Sequence, residues 1–534
     1  MIRRIETALL AIACVLPFVR LGIGEIQPWD ESLYVIRATA CLKFGAWLDQ
    51  TKYAVGHLYS ATHPPFGVWL IAISKYLLGD STFAVRLPAA LLASGSVLLL
   101  WVIVRKFASR EAALVSAISL ATADLFVLFS HLAQMETSVL FFALASVLAL
   151  VIAIEQERWT WWTVSGLFLA MGLLIKFGVA LFVAPFLILL PWALGKPRTI
   201  RYVLFSFLIA GAIVAPWFLM MELRHPDYWS HVLASLVTLG EGHYAPSKLA
   251  WWYYLNRLAV GLPLLIVVPF VKWTNRFYLA AIVWLAALLV LLQVVGTHMP
   301  HFAFLLLAPG AALLGAAWDS IMERPAKWRW VFFLGAVLAI AWSASEQVRL
   351  LLTRHLAWSD FIVRPLGMIT TGIAVALAVI ALARIQSRAR YAVALSLLLL
   401  GLAFTHLLSE DVPVFEDGAA KVAALAEGLS SKSDMVVIHS DYPHEEYAPQ
   451  LAYYTGGWTL GWIPDKTSRT ITWDSAATPA YAPDTAREIA VVVNYTGRFN
   501  HPSPGKIALW DSLTQKLHRS FSNERVFRSY VVFY

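Results

Sequence analysis

Long apolar segments, repeated along most of the chain, constrain its fold more than any other feature. A helix that crosses a bilayer needs about 20 mostly apolar residues. Thirteen such segments cover residues 6–23, 83–104, 111–129, 137–154, 160–175, 178–194, 202–221, 256–271, 277–295, 302–319, 330–346, 362–383 and 391–408. Of the 534 residues, 59% are hydrophobic and only 14% are charged. The pattern predicts a polytopic α-helical membrane protein with about 13 transmembrane helices.

Basic residues are concentrated in every second loop between these segments. If the N-terminus is cytoplasmic, every inner loop is basic, through Arg105, Lys106, Arg110, Arg158, Lys196, Arg198, Arg201, Lys272, Arg276, Arg324, Lys327, Arg329, Arg384, Arg388 and Arg390. The short outer loops 130–136 and 296–301 contain no Lys or Arg. This asymmetry is typical of a multi-pass membrane protein with a cytoplasmic N-terminus. The net charge of +8 therefore indicates contact with membrane lipids rather than with nucleic acid.

Two parts of the chain lie outside this series of spans. Residues 66–79 are apolar but short and contain Lys75, so we expect an interfacial or re-entrant helix within a long outer loop, 24–82. Residues 411–534 are polar and contain strand-like runs at 435–439, 489–494 and 530–534, with an amphipathic helix near 416–430. We therefore expect a transmembrane domain, 1–410, and a small soluble periplasmic α/β domain, 411–534.

Ionisable residues near the ends of the spans collect, on this topology, at the outer face. Charged groups at membrane depth are costly and are functional candidates by default. Together they could position a nucleophile and neutralise a phosphate. The candidates are Asp30, Glu31, His63, Glu136, Lys176, His298 and His301.

Several of these residues also have structural interpretations, which the sequence leaves open. Asp30 could cap a helix running to about residue 45. Lys176 could extend to lipid headgroups, and Glu136 could be a solvated loop acid. His63 could be a loop residue whose backbone the following prolines keep extended.

The arrangement of these residues resembles a known enzyme family. The motifs are Asp30-Glu31, His63-Pro64-Pro65 with Trp69-Leu70, Val85-Arg86-Leu87-Pro88, MGLLIK at 171–176, APW at 215–217 and THMPHF at 297–302. They resemble the polyprenyl-phosphate-sugar-dependent membrane glycosyltransferases of the GT-C superfamily, in particular the aminoarabinose transferase and dolichyl-phosphate-mannose mannosyltransferase-like proteins. The resemblance covers roughly residues 1–320.

The chain departs from the family pattern at three places. The family usually has a lysine before the Pro-Pro pair, where this chain has His63. It usually has an aspartate in the second outer loop, where this chain has Glu136. A late Lys-x-Pro pattern becomes His298-Met299-Pro300-His301. Histidine replaces a permanent positive charge by one that depends on pH.

The resemblance implies a transferase that moves a sugar from a polyprenyl-phosphate carrier to a glycolipid such as lipid A, or to another envelope polymer or protein. Asp30 would act as general base, with Glu31 and Glu136 orienting the acceptor or serving as alternative bases. Lys176 would bind the donor phosphate with His63, His298 and His301. No cofactor is implied with certainty, and a divalent metal is possible. The alternative interpretation is a polytopic transporter or a flippase for lipid-linked sugars.

Overall fold

The computed structural model describes residues 2–28, 30–54, 58, 62–241, 252–270, 276–294, 300–352, 365–408, 418–429, 434–439, 447–454, 469–472, 482–493, 504–527 and 529–534. Within them, α-helices run over Ile2–Val15, Asp30–Phe44, Phe66–Leu78, Thr82–Arg105, Arg110–Thr122, Asp124–Ser130, Met135–Gln156, Trp159–Leu173, Phe177–Ala180, Ala184–Ala193, Ile200–Arg224, Tyr228–Glu241, Tyr253–Gly261, Arg276–Val294, Leu307–Met322, Ala326–Leu352, Pro365–Arg384, Ala389–Leu408, Ala419–Gly428, Tyr447–Tyr454 and Pro504–Ser520.

Five helices among the described residues are long and apolar enough to cross a membrane. They are Thr82–Arg105, Met135–Gln156, Pro197–Arg224, Arg276–Gln293 and His301–Met322. Pro197–Arg224 and His301–Met322 include residues of the 3-10 turns that precede their α-helices. The pair Arg110–Thr122 and Asp124–Ser130 also qualifies if it is counted as one span, although it bends by 63° at its break. The chain is thus a helical multi-span membrane protein, while the count of thirteen stays a prediction. Helix Phe66–Leu78 is shorter than a span, in agreement with its predicted length.

Several segments expected as continuous helices are interrupted. The first helix ends at Val15, and a single 3-10 turn, Leu16–Phe18, follows it. Pro17 in that turn has no N–H to continue an α-helix. The segment expected at 256–271 is an α-helix only to Gly261, after which a 3-10 helix begins at Pro263. The segment expected at 302–319 likewise begins with 3-10 turns, Pro300–Leu306. Prolines and glycines within apolar runs, which hydropathy alone does not weigh, account for the first two breaks.

Packing divides the chain into two compact units. We call one the helical unit, Met1–Leu21, Thr62–Gly67 and Arg86–Pro413. We call the other the sheet unit, Gly22–Ala61, Val68–Val85 and Val414–Tyr534. This division differs from the single boundary expected near residue 410, since most of the first loop groups with the C-terminal residues. The physical reason is that the loop supplies apolar side chains, such as Ile36, to the core of the sheet unit.

Small polar residues join neighbouring helices within the helical unit. Ser146 Oγ donates to the backbone oxygen of Ser165 at 2.9 Å, and Ser165 Oγ donates to that of Ser146 at 3.0 Å. Gly166, beside this pair, lies against the next helix, where a Cβ would come within 2.6 Å of the Ser206 backbone oxygen. Such small residues let membrane helices approach closely enough for interhelical hydrogen bonds.

The sheet unit contains a five-stranded mixed sheet. Its strands are β1 (Asp434–His439), β2 (Arg469–Thr472), β3 (Glu488–Val493), β4 (Glu524–Val526) and β5 (Tyr530–Phe533), in the order β2-β1-β3-β5-β4. β1 is parallel to β2 and β3, whereas β5 is antiparallel to β3 and β4. The three strands predicted from the sequence are confirmed as β1, β3 and β5. The short strands β2 and β4 were not predicted.

Both faces of the sheet are covered. One face of the sheet packs against helices Ala419–Gly428 and Tyr447–Tyr454. It includes Val437, Val491 and Val532, which are paired side by side on adjacent strands. The alternating residues face a second core that contains Leu513 and Leu517 of helix Pro504–Ser520. Burial on both faces explains why β3 reads as a continuous apolar run rather than an alternating one.

Candidate active site

Two of the predicted site residues form a buried ion pair in the helical unit. Lys176 Nζ lies 2.6 Å from Glu136 Oε1. Glu136 is 1% exposed and Lys176 is 8% exposed. Burial rules out the interpretation of Glu136 as a solvated loop acid. It also shows Lys176 bound to a carboxylate, which the headgroup interpretation does not predict.

Breaks between helices place both side chains. Glu136 is the second residue of helix Met135–Gln156. Lys176 lies between helices Trp159–Leu173 and Phe177–Ala180, with an extended backbone at φ −150° and ψ 91°. Its amide donates to the Gly172 carbonyl at 3.1 Å, and its carbonyl accepts from the Ala180 amide at 2.9 Å. The interruption therefore turns the lysine side chain towards the start of a neighbouring helix.

Glu136 retains unused hydrogen-bonding capacity. Its second oxygen, Oε2, is buried and has no hydrogen-bond partner among the residues that the structure describes. Buried polar atoms are nearly always paired, so an exception requires an explanation such as a ligand or ordered water. The pair can therefore offer a cation and a carboxylate oxygen to a polar molecule.

An imidazole completes this cluster. His301 lies in the 3-10 turn Pro300–Leu306, is half-buried, and is close enough to interact electrostatically with both Glu136 and Lys176. Its ring also packs edge-on against Phe302, with centroids 4.4 Å apart. The structure thus brings together Glu136, Lys176 and His301. His298, also predicted, lies outside the described residues.

The segment that contains His63 packs beside the ion pair. The Phe66 amide donates to the Leu174 carbonyl at 3.0 Å, two residues before Lys176. A Cβ on Gly67 would collide with Met135 Sδ and lie 3.2 Å from Ile175 Cγ2. These neighbours immediately precede Glu136 and Lys176 in the sequence. Glycine at position 67 therefore allows this segment, which also carries the half-buried His63, to pack against the residues that precede the pair.

Asp30 and Glu31 belong to the sheet unit. Asp30 is the first residue of helix Asp30–Phe44, one position after the place of a capping residue, and is half-buried. Glu31 is fully buried, and its Oε2 accepts a hydrogen bond from the Gln27 amide at 2.7 Å. This contact gives Glu31 a structural role at the start of the helix.

The helical unit also contains a buried ion pair that the sequence motifs do not predict. Arg257 donates to Asp124 Oδ2 at 3.0 Å, at the break between helices Arg110–Thr122 and Asp124–Ser130. Both side chains are less than one fifth exposed. The feature of the sequence that points to this pair is the presence of one acidic and one basic residue, Asp124 and Arg257, within two different apolar segments.

The described residues contain no group of three or more His, Cys, Asp or Glu side chains arranged to hold a metal ion. The cluster of Glu136, Lys176 and His301 includes a cation, which suits an anionic ligand better than a metal.

Part of the sequence matches a known family. Residues 62–242 match the family described as Dolichyl-phosphate-mannose-protein mannosyltransferase. An undecaprenyl phosphate-alpha-4-amino-4-deoxy-L-arabinose arabinosyl transferase of Pseudomonas savastanoi pv. phaseolicola is 30% identical over 60% of this chain and 62% of its own length. The corresponding protein of Pectobacterium carotovorum subsp. carotovorum is 28% identical over 64% of this chain and 65% of its own length. The chain thus spans somewhat under two thirds of these curated relatives.

The fold is similar over nearly the whole chain. The crystal structure of ArnT from Cupriavidus metallidurans bound to undecaprenyl phosphate superposes with a TM-score of 0.70, at 16% identity, over 99% of this chain and 97% of that one. Its apo form superposes with a TM-score of 0.69. The predicted resemblance is therefore confirmed: the chain has the fold of ArnT and is similar in sequence to the aminoarabinose transferases over much of its length.

Proposed function

We propose that this chain transfers a sugar from a polyprenyl-phosphate carrier to an acceptor of the bacterial cell envelope. The observation that carries the proposal is the buried Lys176–Glu136 pair, with its unused carboxylate oxygen and adjacent His301. Its position in a protein with the ArnT fold supports a transferase over the transporter or flippase. The relatives' names suggest 4-amino-4-deoxy-L-arabinose on undecaprenyl phosphate as the first donor to test. Lipid A is the first acceptor to test, since the motif resemblance implies it.

Lys176 is the group best suited to the donor phosphate. When the bond to the sugar breaks, the leaving polyprenyl phosphate gains negative charge, which a preorganised cation stabilises. Glu136 keeps the buried ammonium compensated and oriented when no phosphate is present. In this proposal His63, His298 and His301 add imidazole donors to the same phosphate. A protonated imidazole would contribute a second positive charge.

Asp30 is the proposed general base. The acceptor hydroxyl oxygen bonds to the anomeric carbon while the bond from that carbon to the phosphate oxygen breaks. The hydroxyl proton passes to the Asp30 carboxylate, and polyprenyl phosphate leaves. Glu31 and Glu136 orient the acceptor or act as alternative bases. If the acceptor is itself a phosphate, no base is needed and Asp30 positions it.

We also propose that the reaction takes place at the periplasmic face of the inner membrane. Thirteen spans from a cytoplasmic N-terminus would place residues 411–534 outside, together with the loops that carry the proposed site. The support is the distribution of Lys and Arg among the short loops.

Binding of undecaprenyl phosphate by purified protein tests the function. Lys176→Ala should weaken binding and slow sugar transfer together, whereas Lys176→Arg should retain part of both because the positive charge persists. Mass spectrometry of lipid A from cells with and without the protein identifies the added sugar. If Lys176→Ala bound undecaprenyl phosphate as tightly as the parent, Lys176 would not be part of the phosphate site. Envelope lipids that are unchanged without the protein would contradict the proposed transferase activity.

Labelling with an impermeant thiol reagent tests the location. In a background with Cys14 and Cys41 replaced by alanine, Arg519→Cys should react from the periplasmic side, whereas Arg201→Cys should not. Both side chains are exposed on the surface of the protein considered without a membrane. Reversed labelling would invert the proposed topology.

A further inference from the structure

We propose that the C-terminal part of the chain is a positioning element for the loop that carries Asp30 and Glu31. This inference rests on the proposed function, because it concerns the placement of the proposed general base. Residues 22–61 of that loop pack in one compact unit with residues 414–534. The contacts below all lie within this sheet unit, and those that tie residues 25 and 26 to the C-terminal part join residues about 400 positions apart in sequence.

The first contact binds the loop to the start of a C-terminal helix. The Glu25 carboxylate accepts hydrogen bonds from the backbone amides of Gly418, Ala419 and Ala420, at 2.9, 3.3 and 3.0 Å. These amides begin helix Ala419–Gly428, where the helix has no carbonyl partners for them and its dipole favours a negative charge. Gly418 adopts φ +98°, a left-handed conformation that suits glycine.

The second contact binds the next residue of the loop on both sides. The Ile26 amide donates to the Tyr454 hydroxyl at 2.8 Å, and its carbonyl accepts from Gln450 Nε2 at 2.6 Å. Gln450 Oε1 in turn accepts from the Tyr530 hydroxyl at 2.6 Å, and both side chains are fully buried. The loop backbone is therefore linked through Gln450 to β5, a strand of the central sheet.

The constraint continues from these contacts into the helix of Asp30. The next residue, Gln27, donates its amide to the buried Glu31 carboxylate at 2.7 Å. Further along the same helix, Ile36 lies in the core that also contains Val422 and Leu451. Helix Asp30–Phe44 is thus held at its start by hydrogen bonds and along one side by apolar packing.

A third set of contacts involves Lys75, an otherwise unexplained buried lysine. Its ammonium lies 2.7 Å from Thr39 Oγ1 on the helix of Asp30, 2.9 Å from Asp80 Oδ1, and 5.0 Å from the centre of the Tyr453 ring. The Tyr453 hydroxyl donates to Asp80 at 3.1 Å. Burial and the Asp80 carboxylate hold the pKa of Tyr453 above its usual range, so the phenol keeps this proton.

These contacts matter for function because a general base must lie within hydrogen-bond reach of the proton it removes. Loops are mobile unless other elements hold them, and misplacement by about 1 Å can cost about a hundredfold in rate. We therefore assign Glu25, Gln450 and Tyr530 as positioning residues for Asp30.

Hydrogen exchange in the full-length protein tests the placement directly. Glu25→Gln and Tyr530→Phe should speed amide exchange across residues 26–36 by about tenfold, because each weakens a contact worth about 1.4 kcal/mol. Lys421→Ala is the matched control, since Lys421 is exposed on the same C-terminal helix. Unchanged amide exchange in both Glu25→Gln and Tyr530→Phe would overturn the proposal, whether or not the protein transfers sugar.

Kinetics with a second mutation separate positioning from general loss of structure. Glu25→Gln should lower kcat for transfer by about tenfold or more and leave the affinity for undecaprenyl phosphate unchanged. In an Asp30→Asn background the same change should have little further effect on kcat, because the positioned group is gone. Equal losses in both backgrounds would show a merely structural contact. Absence of transfer by the parent protein would reject the proposed function, and the exchange experiment would then decide the positioning role alone.

Discussion

The two units of this protein hold their charged residues in different ways. Among the described residues of the helical unit, most buried charges form close ion pairs, Lys176 with Glu136, Arg257 with Asp124 and Arg110 with Glu6, while Arg86 donates to the Leu21 carbonyl. In the sheet unit, Glu25 and Glu31 are held by backbone amides, and Lys75 by a hydroxyl, a carboxylate and an aromatic ring. Removing one member of an ion pair in the helical unit therefore leaves its partner as an uncompensated buried charge. In the sheet unit, the contacts that remain still hold the charged group when one of them is removed.

This difference separates two tasks. For an isolated ion pair in apolar surroundings, the desolvation penalty exceeds the attraction between the charges unless further hydrogen bonds compensate them. The presence of such a pair therefore points to ligand binding. A network of backbone contacts positions a segment without needing any ligand. We therefore expect substitutions in the helical unit to affect the binding of phosphate, and those at the loop of the sheet unit to affect turnover.

The largest expected effect follows from removing the proposed base. Asp30→Asn should lower turnover by about 10²–10⁴-fold, the usual contribution of positioned proton transfer. The helix should persist because asparagine is as acceptable as aspartate at a helix start. Affinity for undecaprenyl phosphate should change little. Transfer assays on purified protein provide the measurement, and Glu427→Gln, an exposed carboxylate of the same unit, is the control. Near-normal transfer by Asp30→Asn would remove its role as base, and a loss seen only in Glu31→Gln would move that role to Glu31.

The next effect concerns the stability of the ion pair. Lys176→Met or Glu136→Gln alone should destabilise the protein by about 3–5 kcal/mol, because each leaves an uncompensated buried charge. The double variant should recover much of this loss, since no charge remains, and should still fail to bind undecaprenyl phosphate tightly. Thermal unfolding in detergent measures the difference. Lys196→Met, which breaks the solvent-exposed pair with Glu157, should change stability little. Additive losses in the double variant would contradict the account of this pair.

The smallest effect concerns the close approach at Gly67. Gly67→Ala should destabilise by about 1–3 kcal/mol, the usual cost of overpacking, because its Cβ meets Met135 Sδ. It should also weaken phosphate binding by displacing the segment of His63. Gly211→Ala is the control, since a Cβ there meets no atom within 4 Å. Adding Met135→Ala to Gly67→Ala should restore part of the stability. A Gly67→Ala protein with parental stability and affinity would show that the approach is not needed.

The sequence was sufficient to predict much of the candidate site. Glu136, Lys176 and His301 were selected because ionisable residues are rare beside apolar spans, and the structure brings these three together. Asp124 and Arg257 were not selected as a pair, because neither belongs to a motif and their contact spans 133 positions. Similarly, strands β2 and β4 have only 4 and 3 residues, too few for a clear alternation of apolar and polar side chains.

Local patterns of apolar and polar residues are enough to predict a helical membrane protein with a polar C-terminal part of strands and helices, because hydrophobic length and alternation are properties that burial imposes on each segment. The three-dimensional structure was needed to find that Lys176 pairs with Glu136, that Gly67 fits against Met135, and that Glu25 and Ile26 bind the C-terminal residues. These contacts join residues from 40 to 428 positions apart. They depend on how whole elements pack, and no local pattern of residue types encodes which distant side chains meet.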